Sequence, residues 1–314
     1  MVRGTVRRLA LAIISAPTNL GLRPPETGSV PGAAKGPEAL REAGLHRQLE
    51  ALGALDDGVI LAGRYRDDLH PGSRRVRNQE AIVEHAQRLA ARVGECLQAE
   101  RPPLVLGGDC SVLMGVGVAV SARGRFGLVH IDGHTDFRHP GNSNTCGSLA
   151  GEDLAAVVGL HWPAVSDIAG QSPYFSAVDV MQVGCRPDDE YLSEVSTTIG
   201  LTVTATEVHD RGAAVVVGRA LEHFSTSGVA GYWIHFDVDV LDPAIVSAVD
   251  SPASGGLSAE QAIALISALA PGAIGADITI FDPDLDPGGG QARLLADLIA
   301  EAFARLGVED RTVR

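Results

Sequence analysis

Eight short, nearly unbroken apolar runs punctuate this sequence, and longer stretches of helical periodicity separate them. The runs cover 8–16, 57–62, 103–107, 126–132, 178–184, 201–205, 232–238 and 273–281. The helical stretches cover 36–52, 79–99, 111–121, 147–158, 209–226, 258–270 and 290–306. A strand that lacks polar alternation has both faces covered, and strands that alternate with helices build βαβ units. The pattern therefore predicts an α/β fold, with a mostly parallel central sheet and helices on both sides. Residues 17–35 and 138–147 are rich in Gly, Pro, Ser, Thr and Asn, and read as loops inside one domain spanning 1–314.

Composition narrows the class. With 45% hydrophobic and 20% charged residues the chain can bury a large core, and only 4% aromatics with 37 glycines suits close packing of helices on a sheet. A net charge of −14 argues against a nucleic-acid binder, which needs a positive surface. The four cysteines, Cys96, Cys110, Cys146 and Cys185, show no CxxC spacing, so no disulfide framework is expected and a reducing cytoplasm is the default. The opening "RGTVRRLALAIISAPTNLG" mimics a secretory leader, but its short apolar run reads better as a buried first strand. No stretch approaches the roughly 20 apolar residues of a membrane helix.

Ligands of open α/β sheets gather beyond the carboxyl ends of strands, and three runs end unusually. "LVLGGDCS" ends in Cys110, "FGLVHIDGHTDF" in Asp132, His134 and Asp136, and "YWIHFDVDVLDP" in Asp237, Asp239 and Asp242. Alternate residues on an extended chain share a face, so each acidic set converges. Close carboxylates repel and take up protons unless cations neutralise them. Asp after a strand is also a common turn former, and Asp242 fits either role. Two acidic runs at strand ends point to a metal site.

These segments resemble the ureohydrolase (arginase–agmatinase) superfamily. "GGDCS" at 107–111, "DGHTD" at 132–136 and "DVDVLDP" at 237–243 carry the likeness, with "GPEALREAGL" at 36–45, "QVGCRPDDE" at 182–190 and "GGL" at 255–257 in support. The resemblance implies a three-layer α/β/α sandwich with a mostly parallel central sheet. It implies two divalent metal ions, usually Mn²⁺, bridged by Asp132 and Asp237, with His134 and Asp239 completing one shell and Asp136 and Cys110 the other. It further implies hydrolysis of a non-peptide C–N bond in a linear amidine or guanidino small molecule by metal-activated hydroxide, with Asp136 passing the proton to the leaving nitrogen. A homo-oligomer, trimer or hexamer, is the implied assembly.

The chain departs from that pattern in places. Cys110 stands where arginase-like members carry His. It is open as a metal ligand shifting the site toward Zn²⁺, Fe²⁺ or Co²⁺, as an unligated neighbour, or as a thiolate nucleophile. Ile280 occupies the slot of a guanidinium-binding Glu, with Asp277 and Asp282 nearby; Asp282 is either a substitute or a turn residue. Ala150 replaces a proton-relaying His, and His139 is a lone loop histidine expected to be exposed. Asn142, Ser143, Asn144 and Thr145 are candidate substrate contacts. His235 shares a face with Asp237 and is either a carboxylate's partner or a satisfied core histidine; His130 is equally ambiguous. Cys96, Cys146 and Cys185 read as small apolar residues. Alternatives to a guanidinium substrate are formimino or hydroxyguanidino compounds, or a catalytically lapsed metal-binding member.

Overall fold

The computed structural model of the chain describes residues 6–70 and 72–310; Arg3–Thr5 of the leader-like opening lie outside the described residues, as do the last four positions. Ten strands are described: β1 (Val6–Arg8), β2 (Ala12–Ala16), β3 (Leu55–Val59), β4 (Pro103–Gly107), β5 (Gly127–Ile131), β6 (Val180–Val183), β7 (Leu201–Val203), β8 (Tyr232–Asp237), β9 (Ala273–Thr279) and β10 (Val308–Asp310). Eight of them form one sheet in the order β3-β2-β4-β9-β8-β5-β6-β7, and every pairing in it is parallel. Each corresponds to one of the apolar runs. The leader-like run "LALAIISAP" supplies β2, an interior strand. β1 and β10 form a separate antiparallel pair that the apolar pattern does not signal.

The interior strands lack polar alternation because helices cover both faces, whereas the edge strand β3 is largely exposed. Residues of β2, β4, β5, β6 and β8 are buried throughout. Helices Gln79–Gln98, Val112–Ser121 and Asp153–Val157 pack on one face. Helices Gly36–Glu42, Leu45–Ala51, Ala205–Arg211, Ala213–Ser227, Ala259–Leu269 and Gly290–Ala302 pack on the other, which completes three layers. Among the described residues no helix is long and apolar enough to cross a membrane.

Three expected helices are broken. The stretch 36–52 turns at Gly44 (φ 101°) and the stretch 209–226 at Gly212 (φ 79°), a left-handed backbone that glycine adopts without strain. The stretch 147–158 yields only a 3₁₀ turn, Leu149–Gly151, and the helix Asp153–Val157. There the buried Glu152 carboxylate accepts the amides of Gly147 and Ser148, which ties the chain into a loop instead of a helical turn.

Connectivity decides where the site lies. The chain leaves β4, crosses to β5, builds outward to β7, and returns to insert β8 and β9 between them. The carboxyl ends of β4, β9, β8 and β5 thus stand side by side at the switch point, where open α/β sheets bind ligands.

Candidate metal centre and cleft

Each acid run leaves its strand through a turn that its own carboxylate closes. Asp132 Oδ1 accepts the His134 amide at 2.6 Å, and Asp237 Oδ1 accepts the Asp239 amide at 2.7 Å. Forming a turn and offering a ligand are therefore not alternatives here, since each acid spends one oxygen on the turn and keeps the other for the site. Asp239 joins the two runs: its Oδ1 accepts the Gly133 amide at 3.0 Å and its Oδ2 faces His134 Nδ1 at 2.9 Å. Cys110, delivered by the turn after β4, donates to Asp237 Oδ2 at 2.9 Å and to Thr279 Oγ1 at 3.2 Å.

The residues expected to ligate metal come together. Asp132, His134 and Asp136 bring ligand atoms within 4.8 Å of one another, and so do Asp132, Asp237 and Asp239. Asp132 Oδ2 is buried with no hydrogen-bond partner. An orphaned carboxylate oxygen is costly in a protein interior, and a cation is the partner this one fits. The charges agree: loss of water contact, then the neighbouring carboxylates, push Asp132, Asp136 and Asp237 well above the usual carboxylate range. Asp239 goes the other way, because His134 and the Gly133 amide outweigh its burial. His134 is raised in turn, Asp239 outweighing burial. Burial and then Asp237 push the Cys110 thiol far up. Without a cation it is therefore no ready thiolate.

The acids open into a cleft of about 500 Å³. Two of its residues hold a positive φ that non-glycine side chains rarely adopt, Asp136 at 44° and Ile280 at 73°. Such strain concentrates at functional positions. Ile280 is pinned there by its amide, which donates to Gly108 O at 2.6 Å. Ala150 also lines the wall. Sequence reasoning missed the rim: Arg23 and Arg138 on one side, and Asp188, Glu190 and Asp250 among the other lining residues. Arg23 Nε donates to Ser148 Oγ, and Arg138 Nε to Glu152 Oε1 at 3.0 Å. Arginines have no periodicity that marks them as cleft residues, so no signal was available.

The expected substrate contacts lie elsewhere. Asn142, Asn144 and Thr145 are not among the cleft-lining residues. Asn142 bonds Glu194, Phe137 O and the His139 amide, and Thr145 bonds Ser143. Asp282 turns its carboxylate to the amides of Gly32 and Asp284 and caps a 3₁₀ turn, so it does not replace the missing Glu. Asp242 likewise accepts the amides of Ala244, Gly255 and Gly256. His139 is buried, not exposed as expected, because its Nε2 meets Glu194 and its Nδ1 accepts the Gly141 amide. His235 is a carboxylate's partner: its Nδ1 faces Asp277 Oδ2 at 2.5 Å.

A parallel eight-stranded sheet between two helical layers, with a buried acidic cluster at its switch point, defines an open α/β fold with a candidate metal centre. Residues 9–304 match the arginase family. The arginase of Bacillus caldovelox is 30% identical over 299 residues, covering 93% of this chain and 97% of its own. The arginase of Agrobacterium fabrum is 31% identical over 308 residues, covering 93% and 90%. The solved structure of the Bacillus caldovelox arginase superposes with a TM-score of 0.84 over 94% of this chain and 98% of that one. The chain belongs to the arginase family, and is a hydrolase of the C–N bonds of amidine and guanidino compounds.

Proposed function

We propose that the chain is a binuclear metal-dependent amidinohydrolase whose small substrate presents a hydroxyguanidino or formimino group rather than a plain guanidinium. The observation that carries the metal reading is the buried, partnerless Asp132 Oδ2 among Asp136, Asp237 and Asp239. Asp132, His134, Asp136, Asp237, Asp239 and Cys110 would hold two divalent cations, Mn²⁺ by family resemblance. When bound, such cations supply an acidified water and stabilise negative charge on the reacting centre.

The remaining work falls to the chain's own groups. Asp136, which lines the cleft beside the other acids, is the carboxylate placed to take a proton and return it to the leaving nitrogen. His134 is held by Asp239 and keeps the acidic floor in register. Arg23 and Arg138 suit a substrate carboxylate, and Asp188, Glu190 and Asp250 suit an amine. Ile280 offers an apolar wall where a guanidinium needs an anion. That wall favours hydroxyguanidino or formimino substrates over arginine or agmatine.

The test pairs metal content with turnover. Purified protein is assayed for cations per chain by elemental analysis, with wild type beside Cys110→His. It is then assayed against guanidino, hydroxyguanidino and formimino compounds with Mn²⁺, Co²⁺ or Zn²⁺. About two cleft cations and preferential turnover of the hydroxyguanidino or formimino compounds support the reading, whereas no cation-dependent hydrolysis across the panel overturns it. By the same resemblance we expect a homo-oligomer, trimer or hexamer, which sedimentation checks.

A further inference from the structure

Behind the cleft floor the sheet carries a buried polar row. Pairing register sets Gln182 (β6) beside His130 (β5), His130 beside His235 (β8), and His235 beside Asp277 (β9). All four side chains are fully buried on the face covered by the helix Asp153–Val157. The His130 and His235 rings stack at 4.6 Å.

The hydrogen bonds fix which nitrogen of each ring carries the proton. Gln182 Nε2 donates to Asp132 O and His134 O, so its Oε1 is an acceptor, and His130 Nδ1 donates to it at 2.6 Å. Trp233 Nε1 donates to Asp277 Oδ1, and His235 Nδ1 donates to Asp277 Oδ2. Both rings therefore turn Nε2 to the same interior space. His235 Nε2 has no hydrogen-bond partner there. Asp153, from the helix above, presents Oδ2 at 3.8 Å from His235 Nε2 and 3.4 Å from His130 Nε2. Cys110 closes the space: its Sγ, a carboxylate oxygen of Asp153 and a ring nitrogen of His235 lie within 4.8 Å of one another.

The geometry points to a second buried cation position, ligated by Cys110, Asp153 and His235 with His130 Nε2 beside it, for a borderline-soft divalent ion of the Zn²⁺ or Co²⁺ kind. Sulfur, imidazole and carboxylate together are a zinc-type donor set. Gln182 and Asp277 do what outer partners of metal-bound imidazoles do, holding Nδ1–H so that Nε2 faces the ion. A cation there would give the buried His235 Nε2 the partner it lacks. Binding releases the Cys110 thiol proton to solvent, leaving the thiolate as ligand. This goes beyond the cleft reading, and the two fail separately. Cys110 is the wall between them, facing Asp237 in front and Asp153 and His235 behind.

The experiment reads cations per chain and the optical spectrum of the Co²⁺-loaded full-length protein, for wild type, Asp153→Asn, His235→Gln, Cys110→Ser and Asp239→Asn. Wild type should show a near-ultraviolet sulfur-to-cobalt charge-transfer band. Asp153→Asn and His235→Gln should each hold one cation fewer and lose or shift that band, and Cys110→Ser should abolish it. Asp239→Asn should lose a cleft cation and keep the band. Asp277→Asn should weaken the buried cation by roughly 10–100-fold, as removal of an outer partner does. Should His235→Gln not fold, the near-isosteric Asp153→Asn and Cys110→Ser decide. Unchanged cation number and cobalt spectrum in Asp153→Asn overturns the proposal. So does a band that survives it but disappears in Asp136→Asn, which would place the Cys110 ligation in the cleft alone. A band with no cation lost in Asp239→Asn would instead overturn the cleft reading and leave the buried position standing.

Discussion

Ile280 is an apolar residue at positive φ on the wall of the cleft, and under the proposed function its chemistry would set what the cleft accepts. With 3% of its surface exposed, it offers a cation neither a charge nor a hydrogen bond. Replacing it with glutamate places a carboxylate on that wall. Leaving one member of a buried charge pair unpartnered costs about 2–5 kcal/mol, so Ile280→Glu should raise kcat/KM for guanidinium compounds relative to the more weakly basic hydroxyguanidino compounds by at least about tenfold, which corresponds to about 1.4 kcal/mol. Steady-state kinetics on one substrate of each kind, above the pH at which the hydroxyguanidine loses its proton, check this, and an unchanged ratio would mean the wall does not set selectivity. The same variant should be less stable without substrate, since an unpaired buried carboxylate carries a desolvation penalty of about 1–3 kcal/mol or more. Ile280 was legible from the sequence by counting back from Pro283. Asp282 was not, because a short Asp before proline reads alike whether it faces a ligand or the Gly32 amide.

At the scale of elements, strands were legible because burial on both faces leaves continuous apolar runs, and the acid-bearing turns were legible because they follow those runs. Where helices break was less legible: Gly44 and Gly212 read as ordinary helix residues until their φ values are known. The row Gln182–His130–His235–Asp277 was hidden for another reason. Its members lie on four strands, and only the register of non-adjacent segments brings them together. Asp153 looked like any helix N-terminal acid. The turn after β4 shows how tightly these elements meet. A Cβ on Gly108 would stand 1.8 Å from Thr18 O, a backbone atom that cannot swing aside. Gly108→Ala must therefore push β4 away from the 17–20 loop and carry Cys110 with it. Overpacking typically costs about 1–3 kcal/mol, and a backbone clash belongs at or above the top of that range. Thermal denaturation should show a large fall in Tm, with cation content reduced in whatever folds. A folded variant with wild-type Tm and metal content would mean the loop yields freely.

For the whole molecule the acidic floor and the cations proposed for it would form one linked equilibrium. Asp132, Asp136 and Asp237 are pushed above their unfolded value of 3.8 by lost hydration and by one another, and His134 and His235 are raised above 6.5 by their carboxylate partners against their burial. The sign is the same for both kinds of group. A raised folded pKa means the native state binds more protons than the unfolded chain, so stability falls as pH rises between the two values. Metal-stripped protein should accordingly be more stable near pH 5 than near pH 8. Asp136→Asn removes one repelling carboxylate and should flatten that slope. Saturating divalent cation reverses the trend, because the ionised carboxylates then have partners and protons compete with the ion. A cation at 100 times its Kd adds about 2.7 kcal/mol to the folded state, and that increment should grow with pH. Chemical denaturation of stripped and loaded wild type and Asp136→Asn across this range measures every part of the argument. Stripped protein that gains stability toward pH 8, or an Asp136→Asn slope as steep as wild type, would mean that the floor's carboxylates do not govern the molecule's response to pH.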